Sequence, residues 1–266
     1  MKPLEALGGA ELAKIRTLAF DLDDTLLTDG QLLPSVYSAL GRLGDAGLRL
    51  VAVTGRPLGY GEVVARLFPI AGVVVENGSL SVRRSDHGAL VVHDPVPVEV
   101  RNQRTQDLAV VERAVRAAVP SARYSDDMPL RRSELTFDVA ERVRLPEADV
   151  RAMIRTIEGA GASATRSSVH VHATFDRGDK AQGLVRFLQQ IDPAVDAGRV
   201  RHQVLFVGDS GNDAACFAGF PCTVGVANVR AALASFSVPP RYVTRGEKGH
   251  GFEELAEHVL RARSRS

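Results

Sequence analysis

Three carboxylates lie within four positions in the segment FDLDDT, residues 20–25, directly after an apolar run. Like charges this close repel one another, so the arrangement costs stability unless something offsets it. A divalent cation would offset it, and so would a reaction that uses one carboxylate as nucleophile and another as proton carrier. The segment alone also fits a polar turn that caps a helix, because Asp and Thr are both good N-cap residues.

Polar residues of complementary chemistry follow other predicted strands. The apolar run at 48–54 ends in Thr54, which Gly55 and Arg56 follow, and the buried strand at 203–209 ends in the segment GDSGND. Ligands of open parallel α/β sheets bind outside the carboxyl ends of the strands. The chain has only four lysines, and Lys180 begins a predicted helix at 180–191. We therefore expect one site that contains Thr54, Lys180 and the acids of both segments.

Alternating strands and helices predict the scaffold for this site. The first strands are expected at 17–22, 48–54 and 71–78, with helices at 34–47 and 59–68 between them, which implies a parallel sheet with right-handed crossovers. The later part predicts a helix near Asn212 and a strand at 222–227. The fold class is α/β, a doubly wound parallel sheet with an inserted smaller α/β domain. We assign residues 1–80 and 175–266 to the core and 81–174 to the insert.

The insert has a different texture. A hairpin is expected at 79–94 with its turn near residues 86–88, followed by helices at 105–118 and 146–161. Strands are expected at 135–139 and within 163–173. These elements lack long apolar strands, which favours a separate small layer.

Phosphoryl transfer is the chemistry that needs this set of residues. Oxygen ligands from Asp21, Asp23 and Asp209 would suit Mg²⁺, while Lys180 and the Thr54 hydroxyl could hold phosphoryl oxygens. One carboxylate could attack phosphorus, and a second could protonate the leaving oxygen and later deprotonate water.

Four motifs resemble those of the haloacid dehalogenase (HAD) superfamily of phosphatases: DLDDT, VTGR, GDK and GDSGND. The insert resembles the α/β cap of the Cof-like, sucrose-phosphatase-like branch (subfamily IIB), which includes sucrose-phosphate and mannosylphosphoglycerate phosphatases. The segment ENG at 76–78 and the ending VGVAN…RYVT…GF support that branch. The resemblance covers roughly residues 17–255 and implies a Rossmann-like core.

This resemblance implies a role for each matching residue. Asp21 would be the nucleophile and Asp23 the general acid and base. The phosphate-binding residues would be Thr54, Gly55, Lys180 and Asn212. Mg²⁺ would be held by Asp21, the backbone carbonyl of Asp23, Asp209 and, through water, Asp213. Many members carry Gly where this chain has Asp24, so Asp24 is expected to be structural.

The expected substrate is a small sugar phosphate or phosphorylated glycoside, because a cap that closes over the sheet leaves room for a small leaving group. Alternation along SVHVHA puts two histidines on one face. Candidate substrate contacts are Arg56, Asn77, Arg131, Arg132, Glu134, His170 and His172. The cap candidates could equally be surface residues or satisfied core residues.

Three other functions remain open. A phosphomutase of the same superfamily would transfer phosphate to a sugar, a receiver-like signalling domain uses similar residues in a different order, and a phosphate-binding module would lack catalysis. The net charge of +1 argues against nucleic acid as a partner, and no apolar stretch is long enough for a membrane span. The first residues lack the apolar core of a signal peptide. We expect a cytoplasmic monomer or homodimer.

Overall fold

A computed structural model of the chain describes residues 1–167, 169–194 and 196–264. Ser168, which falls within the strand region expected at 163–173, lies outside the described residues. Within the described ranges the backbone forms a nine-stranded central sheet and a four-stranded second sheet. None of the helices in these ranges is both long enough and apolar enough to cross a membrane.

The central sheet is mainly parallel. Its strands are β1 Lys2–Pro3, β2 Thr17–Phe20, β3 Arg49–Val53, β4 Gly72–Val75, β5 Leu80–Arg84, β6 Leu90–His93, β11 Val204–Gly208, β12 Cys222–Gly225 and β13 Tyr242–Val243. Their order across the sheet is β1-β13-β12-β11-β2-β3-β4-β5-β6, with the first seven parallel to one another. Strands β3 and β4 extend the sheet from β2 to one side, and the later strands β11 and β12 extend it to the other side. The topological switch point of the sheet therefore lies beside β2.

Helices cover both faces of the central sheet, which confirms the doubly wound α/β class. Those that pack on it are α1 Gly9–Leu12, α2 Pro34–Asp45, α3 Leu58–Leu67, α6 Lys180–Ile191, α7 Ala197–Arg201, α8 Ala214–Gly219 and α9 Lys248–Arg263. Successive side chains of a strand point to opposite faces. In β2, Leu18 and Phe20 join the core beneath α2 and α9, whereas Ala19 joins the core beneath α6. Burial on both faces explains the uninterrupted apolar sequence of these strands.

The second sheet is antiparallel and, among the residues that the structure describes, its helices pack on one face. Its strands, in the order β7-β8-β10-β9, are β7 Arg123–Tyr124, β8 Glu134–Asp138, β9 Ser163–Arg166 and β10 His170–Thr174. Helices α4 Val98–Ala118 and α5 Glu147–Gly159 cover the face that carries Val171 and Ala173. We call the layer from α4 to β10 the cap. Its other face, which carries His170 and His172, looks toward the carboxyl end of the central sheet.

The hairpin expected at 79–94 forms as β5 and β6, but it does not belong to the second sheet. Strand β5 pairs antiparallel with β4, and β6 pairs with β5, so the hairpin extends the central sheet to residue 93. Val82 is fully buried in the same core as the parallel strands. The change of texture that suggested a new domain at residue 81 instead reflects the antiparallel edge of the central sheet, where β6 is only partly buried. Helix α4 also begins seven residues before the predicted start, directly after Pro97.

Candidate active site

The acidic loop begins where β2 ends. Asp21 follows directly, its backbone N–H donates to the Val207 carbonyl at 3.0 Å, and only 3% of the residue is exposed. The chain turns at Asp24, whose backbone is left-handed (φ 55°), a conformation that Asp tolerates better than most residues. The Asp24 carboxylate lies 3.0 Å from the ammonium of Lys248. The turn therefore leaves Asp21 buried at the carboxyl end of the sheet and places Asp24 beside the partly exposed Lys248.

Lys180 is the cation of the buried part of the site. It begins α6, is 1% exposed, and donates to Asp21 Oδ1 at 2.7 Å and to Asp213 Oδ1 at 2.8 Å. Asp179 caps this helix by accepting from the Gln182 N–H at 2.8 Å. Burial would lower the pKa of Lys180, but the two carboxylates raise it above its ordinary value. Lys180 is therefore an ammonium that links the ends of two strands.

Asp209 and Asp213 face Asp21 from the end of β11. Asp213 Oδ2 accepts the backbone N–H groups of Asp209 at 2.9 Å and Ser210 at 3.1 Å, so both of its oxygens have partners. Asp209 accepts from the Thr25 hydroxyl at 3.0 Å. Asp213 is fully buried, whereas Asp21 and Asp209 line the cavity, so these two carboxylates are the members of the trio that a ligand can reach.

The charge of this trio is not balanced by the protein alone. Burial raises the pKa of Asp21 to about 7, although Lys180 opposes the shift. Burial, together with the charge of Asp21, raises the pKa of Asp209 to about 8. Carboxylate oxygens of Asp21, Asp209 and Asp213 lie within 4.8 Å of one another, and hard oxygen donors at this spacing fit a divalent cation. The three residues could therefore hold a metal ion.

Uncharged polar side chains join the site from three loops, which follow β3, β4 and β11. Thr54 is fully buried, its N–H donates to the Val74 carbonyl at 2.9 Å, and its hydroxyl accepts from the Arg56 N–H at 3.0 Å. Asn77 packs on this loop, since a Cβ atom at Gly55 would lie 2.9 Å from Asn77 Oδ1. Asn212 lines the cavity at the other side and accepts from the Ser210 hydroxyl at 2.7 Å.

Asp23 lies outside the buried trio and is held by Arg56. The guanidinium donates through Nε to Asp23 Oδ2 at 2.9 Å and through Nη2 to Oδ1 at 2.8 Å. This hydrogen-bonded pair raises the pKa of Arg56. The Asp23 side chain remains 40% exposed, so it faces the cavity rather than the buried trio. Arg56, expected as a substrate contact, thus has the proposed acid and base as its partner.

A cavity of about 360 Å³ separates the sheet edge from the cap. Of the predicted residues, those on its lining are Asp21, Asp23, Gly55, Arg56, Arg131, His170, His172, Asp209 and Asn212. We call Arg131, His170 and His172 the cap wall. His172 Nδ1 lies 3.1 Å from Glu134 Oε1, and His170 Nε2 lies 2.8 Å from Glu141 Oε2.

Arg131 belongs both to the cap wall and to the junction with the core. Its guanidinium pairs with Glu134, donates to Asp127 Oδ2 at 2.8 Å, and donates to the Gly55 carbonyl at 2.9 Å. Each of the three residues of the cap wall therefore has an acidic partner.

Arg132 is the cap candidate that the structure does not bring to the site. Its side chain is exposed and is not on the cavity lining, and its backbone N–H donates to Glu76 Oε1 at 2.9 Å. Residues 131 and 132 point to opposite sides because the segment is extended at Arg131, so only one of two adjacent arginines can face the cavity.

Several site residues were missed from the sequence. Asn228 donates to Asp209 Oδ2 at 2.9 Å and to the Asp24 carbonyl at 3.0 Å, and Asp127 and Glu141 line the cavity. Asn228 lies in VGVAN, which carried part of the resemblance and was the available signal. The two cap acids lie in ordinary polar loops, and no sequence feature distinguished them.

Comparisons with known proteins agree with this geometry. The family model of haloacid dehalogenase-like hydrolases matches residues 18–114. The phosphoglycolate phosphatase of Pyrobaculum neutrophilum is 30% identical over 250 residues, which cover 92% of this chain and 96% of that protein. The phosphoglycolate phosphatase of Pyrobaculum aerophilum is 30% identical over 258 residues, with the same two coverages.

Solved structures share the fold. A protein of Thermoplasma acidophilum superposes with a TM-score of 0.69 at 19% identity, covering 92% of this chain and 98% of its own. The sucrose-phosphatase of a Synechocystis species superposes with a TM-score of 0.61 at 17% identity, covering 91% and 97%. The chain therefore belongs to the haloacid dehalogenase-like hydrolases, and it is a phosphatase.

Proposed function

We propose that the chain hydrolyses a small phosphate monoester with Mg²⁺ through a phosphorylated Asp21. The observation that carries this proposal is the position of the Lys180 ammonium, 2.7 Å from Asp21 and 2.8 Å from Asp213, within an acidic cluster that Asp209 completes at the end of the sheet. A carboxylate and a phosphate ester are both anions, and the Lys180 ammonium, together with a metal ion held by the acids, would offset the repulsion between them.

Mg²⁺ would be held by Asp21 and Asp209, with Asp213 behind them fixing Lys180 and the backbone of the loop. When bound, the ion neutralises the negative charge shared by the nucleophile and the phosphoryl group. Asp213 is fully buried and is not on the cavity lining, which agrees with a supporting role.

The protein's own residues account for each bond made and broken. An oxygen of Asp21 attacks phosphorus, the bond to the ester oxygen breaks, and Asp23 gives that oxygen a proton. Asp23 then takes a proton from water, the water oxygen attacks phosphorus, and the bond to Asp21 breaks to release phosphate. Lys180 and Thr54 would hold the phosphoryl oxygens as charge spreads over them. Arg56 orients Asp23 toward the cavity for both proton transfers.

The cap wall favours a leaving group that bears hydroxyls. Its cationic or imidazole groups each face an acid, as His172 faces Glu134 and His170 faces Glu141. Balanced pairs of this kind offer hydrogen bonds without a surplus positive charge. Together with a cavity of about 360 Å³, this favours a small sugar phosphate or phosphorylated glycoside over a protein or nucleic acid.

A second candidate substrate is 2-phosphoglycolate. It is favoured by the two Pyrobaculum relatives, both called phosphoglycolate phosphatase, which match over 92% of this chain. Its carboxylate would have to recruit Arg131 or a protonated histidine of the cap wall away from the present partners.

The test is phosphate release from a panel of sugar phosphates, phosphorylated glycosides, 2-phosphoglycolate and nucleotides, with and without Mg²⁺. We expect turnover of a sugar phosphate, its abolition by a chelator, and its recovery on addition of Mg²⁺. Preference for 2-phosphoglycolate would select the second candidate. Conversion of a sugar phosphate to its isomer without phosphate release would indicate a phosphomutase, and full turnover in metal-free buffer would contradict the metal requirement.

A further inference from the structure

Glu76 is a buried carboxylate that the proposed chemistry does not use. It follows β4, is 1% exposed, and does not line the cavity. It is the first of three successive residues with positive φ, at 48° for Glu76, 54° for Asn77 and 104° for Gly78. Non-glycine residues adopt this conformation only at an energetic cost, so the surrounding contacts must hold them there.

The Glu76 side chain connects the core to the cap. Oε1 accepts the N–H of Leu58, at the start of α3, at 3.0 Å, and it also accepts the N–H of Arg132 in the cap at 2.9 Å. Oε2 accepts both the N–H of Ser133, at 2.7 Å, and the Ser133 hydroxyl. Three of its four donors therefore come from the cap segment that leads into β8.

A role confined to the core loop would not require this arrangement. The bond to Leu58 would suffice to hold the loop against α3, but a buried carboxylate needs further donors to offset its lost hydration. Two of those donors are backbone N–H groups of the cap, whose direction is fixed by the chain, and the third is the Ser133 hydroxyl. The carboxylate therefore fixes the position and direction of the segment that leads into β8, and does not merely hold the two layers in contact.

The residues on either side of this contact belong to the cap wall or support it. Arg131 lines the cavity and donates to the Gly55 carbonyl at 2.9 Å. Glu134, on the other side, lies 3.1 Å from His172 Nδ1. A shift of residues 132–133 would thus move both ends of the wall relative to Asp21.

We propose that Glu76 is a positioning residue that fixes the cap strand β8 on the core and thereby sets the distance between the cap wall and Asp21. It acts through Arg132 and Ser133, and it touches neither substrate nor the reacting atoms. The proposal rests on the proposed phosphatase function for its kinetic consequence, but not for its structural one.

The test compares Glu76→Gln and Ser133→Ala with Asp138→Asn. Asp138 is a matched control, since it is a buried carboxylate that accepts two backbone N–H groups, those of Glu141 and Arg142, entirely within the cap. Glu76→Gln turns an amide NH₂ group toward a donor, so we expect amide exchange at residues 132 and 133 to rise about tenfold or more. In Ser133→Ala the rise should be smaller, and in Asp138→Asn it should be absent at these two amides.

Kinetics separate positioning from stability. For the best substrate of the panel, Glu76→Gln should raise KM about tenfold, while turnover of p-nitrophenyl phosphate changes by less than about twofold because this substrate needs no cap wall. Unchanged exchange at residues 132 and 133 in both test variants overturns the contact. Faster exchange with equal losses on both substrates overturns the positioning role. If no substrate is turned over, the proposed function fails, and the exchange result still decides the contact.

Discussion

The carboxyl end of the central sheet and the cap wall both contain buried charges, but they balance them differently. At the sheet edge the Lys180 ammonium contacts two of three clustered carboxylates, those of Asp21 and Asp213, and the pKa of both Asp21 and Asp209 lies far above that of an exposed acid. In the cap wall, each base faces at least one acid: His170 faces Glu141, and Glu134 is shared by His172 and Arg131.

This contrast separates two tasks. The clustered carboxylates of the core repel one another, and a bound metal ion together with the Lys180 ammonium would offset this repulsion. The acid–base pairs of the cap wall need no added cation, so they can form hydrogen bonds to the hydroxyls of a leaving group. We infer that the core reacts and the cap selects, and the following variants test that division.

The largest effect is expected from Asp21→Asn. Loss of the nucleophile should reduce phosphatase activity by more than about 10⁴-fold, as for other covalent nucleophiles. The fold should survive, and stability in metal-free buffer should not fall, because repulsion within the trio decreases. Asp24→Asn is the control from the same loop, since Asp24 pairs with Lys248 at the surface, and it should retain most activity. More than a trace of activity in Asp21→Asn would contradict the covalent mechanism.

Lys180→Met should come second, with a loss of about 10²–10³-fold in kcat. The substitution leaves Asp21 and Asp213 buried without their shared ammonium, so the melting temperature should also fall in metal-free buffer. Lys248→Met and Lys14→Met are controls on exposed or partly exposed lysines. Similar rates for all three variants would remove Lys180 from the chemistry.

The cap is expected to give a smaller and more selective effect. His172→Ala should raise KM for the best substrate about tenfold, the equivalent of one lost hydrogen bond to a buried group, with p-nitrophenyl phosphate nearly unaffected. Arg132→Ala, whose side chain is exposed and off the cavity lining, should change neither substrate. The sequence favoured both residues equally, so a difference between these two variants would sharpen the assignment of the wall. Equal damage to both substrates by His172→Ala would place His172 in the chemistry or the fold.

The different predictability of the two regions has a physical cause. Asp21, Thr54 and Asp209 could be predicted because residues that follow parallel strands must meet at one edge of the sheet. Which cap residues face that edge depends on how a separate layer docks, and the docking rests on contacts such as Glu76 with Ser133 that join residues 57 positions apart. No local pattern records such a contact.

The hairpin at 80–93 was misassigned for a related reason. Its half-polar alternation describes a strand with one buried face, whether that strand ends a large sheet or builds a small one. The burial of Val82 against the central core decides between them, and burial is a tertiary property.

The smallest effect concerns stability and pH, and it tests whether the surplus charge of the core is real. In metal-free protein, burial raises the pKa of Asp21 to about 7 and that of Asp209 to about 8, whereas in the unfolded chain both should titrate near 3.8. Between these limits the folded protein binds more protons than the unfolded chain, so these two groups make the free energy of unfolding decrease as pH rises from about 4 to about 8.

The melting temperature of the wild type should therefore fall by a few degrees more than that of Asp21→Asn between pH 5.5 and 8.5 in the presence of a chelator. The variant lacks one of the two titrating acids and also the charge that helps to raise the pKa of Asp209, so its dependence on pH should be shallower. Saturating Mg²⁺ should reduce the difference, because a bound cation stabilises the ionised carboxylates. Parallel curves for the two proteins without metal would mean that the trio is already balanced, and the contrast between core and cap would then lose its electrostatic basis.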